Sequence, residues 1–488
     1  MPFSAEDGIP LAFHRGTPPC APWNKTRRRP LKISTENPLG SKPLPKLLAS
    51  FAIPSILAML VSSLYNIVDQ IFIGQGVGYL GNAATNVTYP LSTICLAIAL
   101  LIGVGSAANF NLNLGAGRQE TARRVVGAAV TMMVVLGLGY MVLLELFAPV
   151  LLRLFGGTDS VMPYALTYTR ITAVGMPLLI MTNATSNLIR ADGSPRYSMV
   201  CMLLGAIINT ILDPVFIFLC HWGVAGAAWA TVIGQAASCI MAVCYLPRFH
   251  NIQLVAEDFR LQPALWQRIA SLGLSNSLNQ VAITFVQIVL NNSLTYYGAQ
   301  SIYGSEIPLA TSGIIIKINA ILLGIIVGIS QGTQPIISFN YGAGKYDRVR
   351  GIYLLAVKLS LIISAVGFAA FQLFPAQIVS LFGTGDHLYF EFAVRFMHTY
   401  LLMVVVNCVQ LLSSNYFASV GKPLKGLLLA LTRQVFFLVP LLILPRIWGL
   451  DGLLFATPIA DFIAFVTSVL VMRSELHRLP KTQAAQTV

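Results

Sequence analysis

Two aspartates stand in stretches that otherwise carry no charge: Asp69 in "SSLYNIVDQIFIG" and Asp213 in "IINTILDPVFIF". A carboxylate held at the centre of a low-dielectric layer costs at least about 2.5 kcal/mol on insertion scales, so each is a candidate for function. Depth can be counted from the nearest turns. Asp69 precedes Gly74 by five residues and Asp213 precedes His221 by eight, which at about 1.5 Å per residue puts both in one layer, about 8 to 12 Å inside the outer boundary. Asn209, one helical turn before Asp213, shares its face. Tyr168 and Thr231, each just after the start of a segment running the other way, reach the same layer. Paired acids repel, and uptake of one proton relieves them, as does one Na⁺ held by oxygens of Asp69, Asp213, Asn209 and Thr231. A plainer alternative is that the two aspartates cap or bridge helices near the interface.

The elements that hold these residues follow from composition. Charged residues make up 10% of the 488 and hydrophobic ones 56%, too little polar side chain to coat a globule in water. Twelve apolar stretches begin near Leu47, Thr85, Val125, Tyr164, Tyr197, Val224, Leu265, Pro308, Ile352, Tyr389, Leu424 and Leu453, each long enough to cross about 30 Å of hydrocarbon as a helix. Their unbroken apolarity excludes the alternation of barrel strands. The expected fold is an all-α polytopic membrane protein.

Basic residues orient it. Arg118, Arg123, Arg124, Arg190, Arg196, Arg248, Arg260, Arg268, Lys345, Arg348, Arg350, Lys422 and Lys425 fall in loops on one side, while Arg153 and Arg446 mark the other. The excess places both termini in the cytoplasm and accounts for the net charge of +13 without nucleic acid. The seven cysteines are scattered, with no CxxC pair, and read as reduced packing residues. Six scattered histidines supply no metal or catalytic cluster, and Walker A, HExxH and nucleophile-elbow patterns are absent. No enzyme and no cofactor are expected.

The chain also repeats. "FNLNLGAGRQETARR" recurs as "ISFNYGAGKYDRVR", matching Asn113 with Asn340, and "HWGVAGAAWAT" recurs as "IWGLDGLLFAT", matching Thr231 with Thr457. Two homologous six-helix lobes follow, parallel because six is even. The reading divides the chain into a loose tail (1–45), an N-terminal lobe (46–247), an amphipathic or loose linker (248–264), a C-terminal lobe (265–473) and a short tail (474–488). Near Leu290 and Leu441, where the second lobe should match Asp69 and Asp213, there is no acid. That lobe carries Gln287, Asn291, Asn292, Lys317, Arg433, Gln434 and Asp461 instead. Lys317 and Asp461 could pair along a cavity or neutralise each other between packed helices.

"FAIPSILAMLVSSLYNIVDQIFIG", "INTILDPVFIF", "GAAWAT" and "GISQGTQPIISFNYGAG" together resemble the MATE family of multidrug and toxin extrusion transporters, closest to its MepA-like bacterial branch, over residues 37–472. The resemblance implies a V-shaped fold of two six-helix lobes in the bacterial inner membrane, a monomer, and export of amphipathic, often cationic drugs against H⁺ or Na⁺. It carries the family's coupling roles onto Tyr65, Asp69, Tyr168, Asn209, Asp213 and Thr231, a hinge role onto Pro54, and a place near the drug onto Asn183. The expected substrate pathway also takes in Gln287, Asn291, Lys317, Arg433 and Asp461. The rival function is a flippase for a lipid-linked or polyanionic substrate, which would favour a more cationic cavity.

Overall fold

The computed structural model of the chain describes residues 37–381 and 387–480. Among them twelve long helices form: α1 (Leu44–Val77), α2 (Tyr79–Gly115), α3 (Gln119–Leu154), α4 (Met162–Ala191), α5 (Pro195–Pro214), α6 (Gly223–Val243), α7 (Pro263–Gly298), α8 (Glu306–Gly342), α9 (Tyr346–Leu373), α10, α11 (Pro423–Ile443) and α12 (Leu450–Arg478). The pieces of α10, His387–Tyr400 and Val404–Ser419, meet at a bend of 48°. Each expected start lies within six residues of an observed one. Nine of the described helices are long and apolar enough to cross a membrane, and bent α10 makes a tenth. The remaining two, α4 and α7, are just as long but carry Asn183 and Arg190, and Asn276, Gln287 and Asn291, respectively. Leucines and valines such as Leu146, Leu154, Val366 and Leu428 cover the outside, as lipid-facing surface requires.

The repeat is visible as packing. Helices α1 to α6 form one half and α7 to α12 the other, and the halves meet where glycines let backbones touch. A Cβ on Gly115 would lie 2.1 Å from the carbonyl oxygen of Phe339, and one on Gly342 would lie 2.2 Å from that of Leu112. These are the matched positions of the two repeats, so α2 and α8 cross reciprocally, as in a two-fold contact. The α2–α7 crossing is as close: a Cβ on Gly105 would lie 2.0 Å from the Ile269 carbonyl oxygen and one on Gly273 1.8 Å from that of Leu101. On α8, Gly332 and Gly328 receive Ala52 and Ile56 of α1 in the same way. Transferring these contacts through the repeat makes Val286 the counterpart of Asp69, and the offset that matches Thr231 with Thr457 makes Val439 that of Asp213, close to the expected Leu290 and Leu441 and equally apolar.

Two expectations about loose segments need correction. The tail expected over residues 1–45 lies outside the described residues up to residue 36, but from Asn37 on the chain is held. Pro38–Ser41 is a short helix whose N-cap, Asn37, accepts from the Leu39 amide at 3.0 Å, with Leu39 buried. The reason is apolar burial of Leu39 against α8, which composition averaged over the whole tail conceals. At the other end, residues 481–488 of the expected short tail lie outside the described residues. The linker is also pinned. The carboxylate of Asp192, in the α4–α5 turn, accepts from the backbone amides of His250 and Asn251 at 2.7 and 3.2 Å, from the Tyr245 hydroxyl at 2.8 Å and from the Asn251 amide side chain at 2.8 Å. Its hydrogen bond to the ring pushes the His250 imidazole above its ordinary pKa. Farther along, Asp258 pairs with Arg123 of α3 at 3.0 Å.

The glycine crossings generate a contrast that thermal unfolding in detergent can measure. Gly273→Ala should cost about 1 to 3 kcal/mol or prevent folding, because a carbonyl occupies the space. Gly139→Ala on α3, where an added Cβ meets nothing within 4 Å, should be neutral or up to about 1 kcal/mol stabilising.

Candidate functional site

Helix α1 is a wall with two working faces. Residues 52, 56, 59 and 63 lie at helical spacing toward α8, and 58, 62, 65 and 69 toward α4, α5 and α6. On the α8 side the contact widens along the helix. Gly332 and Gly328 lie against backbone, a Cβ on Gly324 would lie 3.8 Å from the Met59 Cβ, and one on Gly313 would meet nothing within 4 Å. A gap therefore opens between the halves, away from the end that carries most of the basic loops. Lys317, on the same face of α8 as Gly313 and Gly324, is exposed there. Helix α1 continues through the buried Pro54. Proline removes the amide that the Ser50 carbonyl would otherwise receive, and the Ser55 hydroxyl bonds the neighbouring Phe51 carbonyl at 2.9 Å.

On the other face the structure brings together the residues expected to share a depth. Asp213 is fully buried, and its carboxylate interacts directly with that of Asp69. The Asn209 amide donates to Asp213 Oδ1 at 3.2 Å and to Thr231 Oγ1 at 3.3 Å. Tyr168 contacts Thr231, and Tyr65 faces both acids. Asp213 sits where α5 passes through Pro214 into a π-helical turn, Val215–Leu219. Three buried oxygens, Asp69 Oδ1, Asp213 Oδ2 and Asn209 Oδ1, have no protein partner. Unpaired acceptors around two acids suit a proton or a small cation.

Below this cluster lies a cavity of about 120 Å³ whose walls include Ser62, Tyr65, Thr182, Asn183, Asn209 and Thr231. It is large enough for a few waters and well under the roughly 300 to 1,000 Å³ of drug-sized pockets. Asn183, expected near a substrate, is on its wall. The sequence reading passed over Gln235, Ser238, Thr182 and Ser62, which line it too. Their signal was available as spacing: 231, 235 and 238 share a face of α6 with Thr231, as 62 and 65 share one of α1 with Asp69.

In the second half the structure corrects one pairing. Asp461 of α12 is neutralised by Arg433 of α11 at 2.6 Å, with Asn407 of α10 donating to its other oxygen at 3.4 Å, and not by Lys317. Adjacent packing of α11 and α12 brings these side chains together, whereas Lys317 is exposed on the face of α8 that carries Gly313 and Gly324. Gln287 and Asn291 bond to each other along α7 at 3.2 Å. The second half thus holds a closed acid–base pair where the first holds two acids.

Comparison with known proteins agrees with this architecture. The family model MatE matches residues 54–215 and 277–443. The chain is 25% identical over 445 residues to the multidrug export protein MepA of Staphylococcus haemolyticus, covering 90% of this chain and 96% of the relative. It is also 25% identical over 445 residues to a protein of Shewanella oneidensis named FAD transporter, covering 87% and 93%. A solved structure described as the outward-facing conformation of a multidrug resistance MATE family transporter superposes with a TM-score of 0.83 at 24% identity, covering 90% of this chain and 97% of that one.

The Arg433–Asp461 pair yields a measurable asymmetry. Asp461→Asn strands a buried guanidinium and should cost about 3 to 5 kcal/mol, read as lost monodisperse protein on size exclusion. Replacing both residues together, Arg433→Leu with Asp461→Leu, should restore much of that loss. A double variant as unstable as the single one would refute simple neutralisation.

Proposed function

The chain belongs to the MatE family, whose members are transporters and not enzymes, and from that premise we propose that it is a secondary antiporter of the cytoplasmic membrane, exporting amphipathic, often cationic compounds in exchange for H⁺ or Na⁺. The observation that carries the reading is the Asp69–Asp213 pair with its three unpartnered buried oxygens, mounted on the helix that also lines the gap between the halves. With the gap open to the outside, an ion enters and neutralises the pair. Tyr65, Asn209, Tyr168 and Thr231 hold the two carboxylates in register for it. Because Asp69 and the gap-lining residues are on opposite faces of α1, a change in charge on one face can shift the other. Substrate leaves outward when the ion is bound and is taken up from the cytoplasm when the ion is gone, and this opposed occupancy couples the two flows. For Na⁺ the ligands would be oxygens of Asp69, Asp213, Asn209 and Thr231, a donor set suited to a hard cation. Asn183, facing the cavity below, would contact substrate or its water. Gln287 and Asn291 would do so from α7, and Pro54 would serve as the flexible point of α1.

A second reading has one observation in its favour. Lys317 stands exposed in the gap, and no acid pairs with it among the described residues, so a polyanion such as the dinucleotide in the name of the Shewanella relative would find a cation there. Arg433 adds nothing to that field because Asp461 already neutralises it. Two acids against one lysine favour cationic substrates.

Asp69→Asn and Asp213→Asn should each reduce cationic-dye efflux from cells to background while membrane abundance stays near that of the parent. Full efflux in Asp69→Asn would remove that residue from the mechanism. In proteoliposomes given only a H⁺ gradient or only a Na⁺ gradient, dye should move against one of them; movement with neither would end the antiport reading. Lys317→Ala should leave dye efflux intact, and an accompanying loss of flavin-dinucleotide export would favour the second reading.

A further inference from the structure

The segments that lead into α1 and α7 each cross to the opposite half at the end carrying the basic loops. Ahead of α1, Leu39 is buried and its carbonyl accepts from the Asn340 amide of α8 at 2.9 Å and from Arg348 of α9 at 3.3 Å. Lys345 donates to the Gly40 carbonyl at 3.0 Å, and Arg348 to that of Lys42 at 2.7 Å. Ahead of α7, the 3-10 turn Ala256–Phe259 docks on α3. Asp258, buried, pairs with Arg123 at 3.0 Å, and its backbone occupies the place a Cβ on Gly127 would take, 2.2 Å from the Asp258 carbonyl oxygen.

These two contacts are related in part by the repeat. The leading segments correspond, residues 39–42 with 256–259, but the basic groups that hold them do not: Lys345 matches Arg118, Arg348 matches Thr121, and Arg123 matches Arg350, which donates to the Leu476 carbonyl in its own half. The helix after each glycine-rich turn still presents an arginine, from different positions, to the segment that leads the other half. The contacts are also tied together. Asn37 donates to Asn251 at 3.2 Å, and Asn251 is itself held on the Asp192 carboxylate.

We propose that residues 37–42 and 256–259 are reciprocal locks that hold the basic end of the transporter closed, and that opening to the cytoplasm requires both to release. The proposal rests on the reading of the chain as a transporter that opens alternately to the two sides. The gap between α1 and α8 opens toward the opposite end, so in this conformation the locks lie where the halves are closed. Their bonds suit a reversible device. Charged donors on backbone carbonyls are strong while dry and readily replaced by water once exposed. Neither lock uses a group of the Asp69–Asp213 site, so lock strength and ion binding can be altered separately.

The test uses the full chain in a background without native cysteines that retains dye efflux. Arg123→Cys with Asp258→Cys spans one lock, and Gly40→Cys with Lys345→Cys the other. Bridging either pair with a short cleavable bifunctional thiol reagent should drop efflux to background, and cleavage should restore it. Undiminished efflux with bridging complete would overturn the proposal. A second measurement does not depend on substrate. In nanodiscs, labelling of Ser338→Cys on α8 by a bulky maleimide should rise about tenfold when Arg348→Ala and Asp258→Asn are combined, as expected for losing charge-assisted hydrogen bonds. Unchanged labelling in well-folded protein would also overturn the locks. If the parent shows no efflux but labelling still rises, the locks stand and the transport reading fails.

Discussion

In the interior of a membrane protein a carboxylate must be answered, because lipid cannot solvate it. Among the described residues this chain answers its buried acids in almost every case with a base. Asp461 has Arg433, Asp258 has Arg123, Glu475 has Lys422 and Lys425, and Asp192 has His250 besides its amides and hydroxyl. Asp213 is the exception. Its neighbours are an amide, the Tyr65 ring and a second acid, and no ion pair to it is found among the described residues. An arrangement that leaves two acids to each other repels unless one is neutralised, and that is why the proposed function places the coupling ion there. Every other buried carboxylate among the described residues is committed to holding helices or turns together.

The same constraint explains the architecture around the pair. Helices in lipid gain little by hiding apolar surface from one another, so they associate through close packing. The glycines of α2, α7 and α8 provide it at the crossings between the halves, and their reciprocal contacts follow from the repeat. As the α1–α8 contact widens along its length, α1 is gripped at one end and released at the other. A helix so held is a lever whose loose part carries Asp69 on one face and the gap lining on the other.

How much of this was legible depended on what each inference required. Helix count and starts were readable because unbroken apolar runs of spanning length leave little choice. The shared layer of Asp69, Asp213, Tyr168, Asn209 and Thr231 was readable because depth needs only counting from a turn. Azimuth needs more. Pairing Asp461 with Lys317 failed because which faces of α8, α11 and α12 meet is decided by packing, and Arg433 was the nearer base. Gln235 and Ser238 were missed for a related reason. As uncharged side chains in an apolar run they look like ordinary packing, and only the helical spacing from Thr231 marks them. The held segments at residues 37–42 and 248–259 were hidden because their partners, Asn340, Asp192 and Arg123, lie far away in sequence.

The repeat therefore supplies a symmetric frame on which unlike chemistry is mounted. Where the first half joins its α4–α5 turn to the segment after α6, the acid is on the turn, Asp192, and the base follows the helix, His250. At the matching place in the second half the bases, Lys422 and Lys425, are on the turn side and the acid, Glu475, is on the final helix. Opposite polarity at matching joints keeps both closed while allowing each half its own interior. The first interior keeps an unneutralised acid pair beside a water-sized cavity, and the second seals its acid with arginine. Two identical interiors would respond alike to ion binding. Unlike interiors give the two halves different electrostatics on one symmetric frame, which is what the proposed antiport requires of them.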